Sequence, residues 1–191
     1  MNKSTLILLI GALFLLAVSG AIAQSSNTAS TDVTIHIRDY CDPASFNSAV
    51  GPGTCERGAQ NPKSNGAITF TGFVTEVGLD KSVGAWRFVP QQVKIGEGVT
   101  LHLKSLGGEL HTFTEVKKFG GGFVAFLNAA SGNPVPAPEC AKVVNGQLVP
   151  QPPGPDNLFI PAGGTATINE HEAVVRYQCC IHPWMRFTIT H

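Results

Sequence analysis

Val33, Ile35 and Ile37 alternate with Thr34, His36 and Arg38 near the start of the chain. A period of two marks a strand with one buried face, so a first strand is expected here. Ile68 to Val77, rich in β-branched and aromatic residues, reads as a second strand. Trp86 to Ile95 is extended and β-prone, and Gly96-Glu97-Gly98 is a turn. Val99, Leu101 and Leu103 then alternate with Thr100, His102 and Lys104. A Gly107-Gly108 turn leads into a strand opening at His111-Thr112-Phe113-Thr114. Phe159 to Gly164 returns the chain to the sheet, and closing strands are expected over Thr165 to Ile168, Ala173 to Cys179 and Arg186 to Thr190. Helical patterns are scarce and no internal repeat is present. With 21 glycines and 13 prolines to supply turns, the pattern predicts an all-β domain.

Two stretches interrupt this pattern. Cys41 to Gly66 is rich in Gly, Pro, Asn and Ser and carries two cysteines, which suggests an ordered loop pinned by a disulfide. Glu115 to Asn157 is a long excursion with Gly120-Gly121-Gly122, several prolines and Cys140. Loops of this length are uncommon unless functional or tied down. Phe123 to Asn128 is expected to hold a short strand or a helical turn within it.

The first residues belong to targeting. Lys3 precedes an apolar run from Leu6 to Val18, and Ala21-Ile22-Ala23 offers the small residues a signal peptidase needs. Residues 1–23 are therefore expected to be a signal peptide cleaved before Gln24, 24–32 a disordered leader and 33–191 one domain. The apolar run is short of the roughly 20 residues a membrane span requires, so stable membrane insertion is not expected after cleavage. The expected location is secreted or periplasmic. Formal net charge is +0 and only 14% of residues are charged, with no basic patch, which argues against nucleic acid as a partner.

Export implies an oxidising compartment in which disulfides persist. Five cysteines cannot all pair, so one thiol needs another use. Cys41 and Cys55 are the natural local pair. Cys140 and Cys180 are then expected to bridge, because pleat alternation turns Cys180 away from its neighbour Cys179 and leaves it free to face the inserted loop. The plainer alternative is a free Cys140 and a buried, inert Cys180.

Cys179 opens the most informative stretch, Cys179-Cys180-Ile181-His182-Pro183-Trp184-Met185. A strand runs into a cysteine, His follows three residues later, and Met three after that. Two imidazoles, one thiolate and a weak thioether are the donors of blue-copper electron-transfer sites, so the missing imidazole must come from elsewhere. His111, between a Gly-Gly turn and a strand, is the best source. The expected metal ligands are His111, Cys179, His182 and Met185, holding one type 1 copper ion. Thr112 is placed to hydrogen-bond across to the Cys179 loop. Taken singly, each residue has a plainer role: Met in the core, Cys in a disulfide, His-Pro in a turn. Met185 is the one Met remaining after signal removal, which makes its position hard to call filler. His36 and His102 lie on the polar phase of their strands, His171 in an apparent turn and His191 at the end, and none is expected to bind metal.

At these residues the sequence resembles the cupredoxins. Cys179, His182, Pro183, Trp184, Met185 and Arg186 match the short ligand loop of the amicyanin type, and plastocyanins and pseudoazurins place Met further from His. Phe88-Val89-Pro90 through Gly96-Glu97-Gly98-Val99 to His111-Thr112-Phe113 looks like the family's run into its first His ligand. The resemblance covers roughly Trp86 to Phe113 and Thr165 to Thr190. It implies a Greek-key β-sandwich, here with a long inserted loop, type 1 copper and one-electron transfer. It also implies that His182 leads to the surface. The docking patch for a redox donor and a redox acceptor would surround His182, Pro183 and Trp184, with Leu110 or Phe113 contributing. Cys180 beside the ligand Cys, the 115–157 insertion and the Cys41 to Gly66 loop depart from the family pattern.

The expected function is thus an electron shuttle and not an enzyme, since no substrate-binding Ser/His/Asp set, second copper cluster or domain duplication is written in the chain. Two other classes are open at this level. A copper storage or delivery protein would tend to be Met- or His-rich, and this chain is neither. A metal-free, disulfide-stabilised β-sandwich binding module would have Cys179 and Cys180 both bridged, or bonded to each other.

Overall fold

The computed structural model describes residues 31–56, 67–95, 98–170 and 174–190. The expected signal peptide, most of the leader, the start of the Gly96 turn, His171, His191 and the second half of the Cys41 to Gly66 loop lie outside the described residues.

Two sheets enclose one core. In the first, β1 (Thr31–Arg38) lies between β2 (Arg87–Val89) and β4 (Val99–Ser105), and β4 continues to β9 (Thr165–Glu170). The second runs β3 (Gln92–Lys94), β11 (Arg186–Thr190), β10 (Val174–Gln178), β5 (His111–Glu115) and β8 (Asn157–Ile160). The period-two pattern holds where it was clearest: Ile35, Ile37, Val99, Leu101 and Leu103 point into the core, which Phe88, Phe113, Tyr177 and Phe187 fill from the two sheets. Phe113 stacks on Tyr177 at 4.3 Å between ring centres and meets Phe88 edge-on at 5.1 Å. The architecture is a β-sandwich.

Ile68 to Val77 is not a strand. It is α2 (Phe70–Asp80), capped by Thr69, whose hydroxyl accepts from the Gly72 amide. The β-branched composition misled, and the spacing of its inward residues decides. Phe70, Phe73, Val74 and Val77 fall at i, i+3, i+4 and i+7, one helical face, and all pack on the core. The Cys41 loop likewise contains α1 (Pro43–Ala49), with Asp42 accepting from the Ser45 amide and Pro43 at the first turn. In the excursion, the helical alternative holds as α3 (Ala125–Ala130), followed by an unexpected hairpin, β6 (Ala141–Val144) with β7 (Gln147–Pro150).

Both expected disulfides are present. Cys41 and Cys55 bridge with Cα atoms 6.2 Å apart, and Cys140 and Cys180 at 5.3 Å. In the chain-entropy account these closures are worth about 3 and about 4 kcal/mol. The second ties the excursion to the segment after β10. Around it, the Phe123 amide donates to the Cys180 carbonyl at 2.9 Å, and the Gln178 side chain bonds Gly120 in both directions. Gly122 lies against the Cys180 backbone so closely that a Cβ there would overlap the Cys180 carbonyl oxygen. Gly122→Ala is therefore expected to cost about 1–3 kcal/mol or more, as overpacking does, because the obstructing atom is backbone. Urea unfolding with both disulfides intact measures this, and wild-type stability would show that the excursion does not press on the ligand loop.

Candidate metal centre

Strand pairing puts the two halves of the site side by side. β5 runs antiparallel to β10, with Glu115 opposite Tyr177 and Thr114 opposite Gln178. His111 at the start of β5 and Cys179 just beyond β10 therefore fall at the same end of this strand pair. Thr112 stitches the join as expected: its hydroxyl accepts from the Cys180 amide at 2.7 Å, and its amide donates to Cys179 Sγ at 3.4 Å. The loop after Cys179 doubles back, with the Met185 amide donating to the His182 carbonyl and the Cys179 amide to the Met185 carbonyl.

The structure brings His111, Cys179 and His182 together, all buried, with potential ligand atoms within 4.8 Å of one another. Cys179 Sγ lies 3.8 Å from His111 Nδ1 and 3.9 Å from His182 Nδ1. A metal bonded to sulfur at about 2.3 Å and to nitrogen at about 2.0 Å, about 120° apart, would set such donors about 3.7 Å apart. The donor spacing and chemistry thus fit one soft-tolerant transition metal. Cys179 is the one cysteine outside a disulfide, unlike the arrangement a metal-free module would need. Met185 is fully buried in the same turn. His36 and His102 are not in the cluster, and His102 is half-exposed beside Asp32.

Four residues around the trio were not legible in the sequence. Asp39 Oδ2 is 2.8 Å from His111 Nε2, with both side chains fully buried. This leaves Nδ1 of His111 facing the sulfur. Glu109 Oε2 lies 3.6 Å from His182 Nε2 and accepts from the Trp86 indole N–H. Phe73 and Trp86 cover the His182 ring at 6.0 and 6.4 Å between ring centres. No local signal marks these residues, because each acts across a long stretch of chain. His182 is consequently only 2% exposed and does not itself reach the surface. Pro183 is buried as well, and Phe113 belongs to the core instead of a docking patch. Leu110 at 42% exposure and the partly exposed Trp184 are the members of that expected patch that meet solvent. An apolar cavity of about 290 Å³ reaches His182 and Glu109, walled by Phe46, Phe70, Phe73 and Leu127.

Charge is organised around the sulfur. Burial alone pushes the Cys179 thiol up, but hydrogen bonds and charge from His111 and His182 hold it well below the ordinary thiol value. Burial pulls His111 down, yet the Asp39 hydrogen bond and Cys179 raise it to about 10. Burial would raise Asp39 too, but the His111 hydrogen bond keeps it below the usual carboxylate range. Glu109 is raised, chiefly by burial. These neighbours favour the thiolate form of Cys179, the form that binds metal.

The two-sheet fold and the buried trio agree with the resemblance read from the sequence. No protein-family model matches the chain, and no curated protein matches it. Among solved structures it is similar to a purple cupredoxin from Nitrosopumilus maritimus, 16% identical over 83% of this chain and 98% of that one, with a TM-score of 0.36. It is similar to an amicyanin in its reduced Cu(I) form, 14% identical over 57% of this chain and 75% of that one, TM-score 0.32. A multicopper oxidase matches at 13% identity over 85% of this chain and 38% of its own, TM-score 0.33.

Metal must displace whatever proton His111 Nδ1 holds. With His111 raised to about 10, the metal-free protein carries that proton at neutral pH, while the Cys179 thiol is held well below its ordinary value. Loading Zn(II) or Cu(I) near pH 7 is therefore expected to release about one proton, and apparent affinity to rise with pH toward the His111 value. Calorimetric titration in two buffers of different ionisation enthalpy, repeated across pH, checks this. A pH-independent affinity with no proton release would remove His111 from the ligand set.

Proposed function

We propose that this chain is an extracytoplasmic one-copper electron carrier, with His111, Cys179, His182 and Met185 holding the ion as a type 1 centre. The observation that carries the reading is the buried trio of His111, Cys179 and His182, with donors 3.8 and 3.9 Å apart. When bound, copper supplies a Cu(I)/Cu(II) couple, and a thiolate, two imidazoles and a weak thioether suit both oxidation states.

The chain's own residues keep the donors still. The Cys179 sulfur receives the amides of Thr112 and His182, at 3.4 and 3.5 Å. The ligand loop is closed on itself by hydrogen bonds and stapled by Cys180 to Cys140. On the far side, the Glu56 amide donates to the Gly108 carbonyl at 2.8 Å, so the Cys41–Cys55 loop holds the turn that presents His111. Little can rearrange when charge changes, which favours fast one-electron exchange.

Electrons would enter and leave through the aromatic layer on His182: Phe73, Trp86 and Trp184, the last 5.5 Å from its ring centre. A redox donor and acceptor would dock on that face, where Trp184 and Leu110 meet solvent and the apolar cavity approaches His182. One donor cluster with one thiolate among the described residues supports a carrier over an oxidase. Two disulfides support a location outside the cytoplasm, where such bonds persist.

Cu(II) loading is expected to give the intense visible thiolate-to-copper absorption of a type 1 site. Cys179→Ser is expected to abolish it, because a hydroxyl cannot replace a soft thiolate. Full colour in that variant would sink the assignment. Met185→Leu is expected to keep both copper and colour and to raise the reduction potential, since losing a weak donor destabilises Cu(II) more than Cu(I). Complete loss of copper on metal analysis would make Met185 more than a weak axial donor.

A further inference from the structure

We propose that Asp39 is the positioning residue of the centre: its buried carboxylate orients the His111 ring and its charge lowers the reduction potential. This deepens the one-copper reading above and rests on it. Asp39 follows β1 directly and is 1% exposed. Its Oδ2 lies 2.8 Å from His111 Nε2 and accepts from the Glu109 amide at 3.2 Å. Its Oδ1 accepts from the Gly108 amide at 2.8 Å and the Cys41 amide at 3.4 Å. A carboxylate is an acceptor at both oxygens, and here donors meet both.

The surrounding backbone is shaped to this group. A side chain at Gly107 would overlap the Asp39 carboxylate, so that turn approaches it as only glycine allows. Cys41 belongs to the Cys41–Cys55 bridge, which couples the position of Asp39 to the disulfide loop. Asp39 thereby holds three things at once: the His111 ring, the Gly108–Glu109 turn and the start of the bridged loop.

Two consequences follow for a bound ion. With Nε2 engaged, Nδ1 is the nitrogen left for metal, and the ring cannot turn without breaking a buried bond. A negative charge on the far side of a ligand imidazole, shielded from water, favours the more positive oxidation state. An uncharged group of the same shape would satisfy the turn amides in part and leave the charge effect out. This separates the proposed role from a merely structural one.

The test is Asp39→Asn in the full chain, loaded with Cu(II), with visible spectra, voltammetry and thermal unfolding read together. Absence of thiolate-to-copper absorption in the wild type would refute the copper reading itself, and this proposal with it. With a coloured wild type, the variant is expected to stay coloured, show a higher reduction potential and bind copper about 10–100-fold more weakly. A coloured variant with unchanged potential, whatever its melting temperature, overturns the proposal. A second measurement needs no variant: in the reduced wild type, the His111 Nε2–H is expected as a downfield, slowly exchanging proton resonance. Rapid exchange of that proton with solvent would overturn the assignment equally.

Discussion

The site depends on the join between β5 and the segment after β10, where His111 and Cys179, 68 residues apart, meet. Antiparallel pairing gives the register, but the ladder stops short of Cys179 and Cys180. Thr112 completes it by giving its amide to the Cys179 sulfur and taking the Cys180 amide on its hydroxyl. These bonds are buried, and an unmade buried polar group costs about 1–3 kcal/mol. That penalty makes any other alignment of His111 against Cys179 unfavourable. Thr112 has the right reach because it stands next to His111 on the same strand.

Each half of the join is braced by one of the two insertions. The bridged Cys41–Cys55 loop grips the His111 side through Asp39 and the Gly107–Glu109 turn. The 115–157 excursion grips the Cys179 side through the Cys140–Cys180 bridge, the Gly120–Gly122 backbone and Asn133, whose side chain accepts from Arg186. Arg186 itself lies over the Phe119 ring and donates to the Pro183 carbonyl. A small β-sandwich leaves loop ends mobile unless something covers them. Here the additions that look like departures from the family pattern stiffen the loops that carry His111 and Cys179.

Other parts of the chain bury what the resemblance placed at the surface. α2 lays Phe73 over His182, and Trp86 and Glu109 also lie against it. Under the proposed function, an electron would pass a layer of aromatic rings instead of leaving from an exposed imidazole edge. Burial also keeps water away from the charges around the sulfur, so Asp39, Cys179 and the two histidines act on one another at low dielectric. Insulation and access are balanced by the cavity, an apolar approach to His182 that ends at a carboxylate.

Local sequence determined the features whose cause is local. Alternation in 33–37 and 99–103 set the strand faces, because side chains on a strand have period two. The Cys179, His182 and Met185 spacing placed those residues in one short turn, and odd cysteine parity left Cys179 unbridged, as the structure has it. Ile68 to Val77 escaped because β-branched composition outweighed an i, i+3, i+4, i+7 pattern that packing selects. Asp39, Trp86 and Glu109 escaped for a different reason. Their roles are set by contacts with residues 72, 23 and 73 positions away, and no spacing rule along one chain spans such distances. Only the tertiary structure decides which carboxylate meets which histidine, because burial and sheet pairing create those neighbours after the local elements have formed.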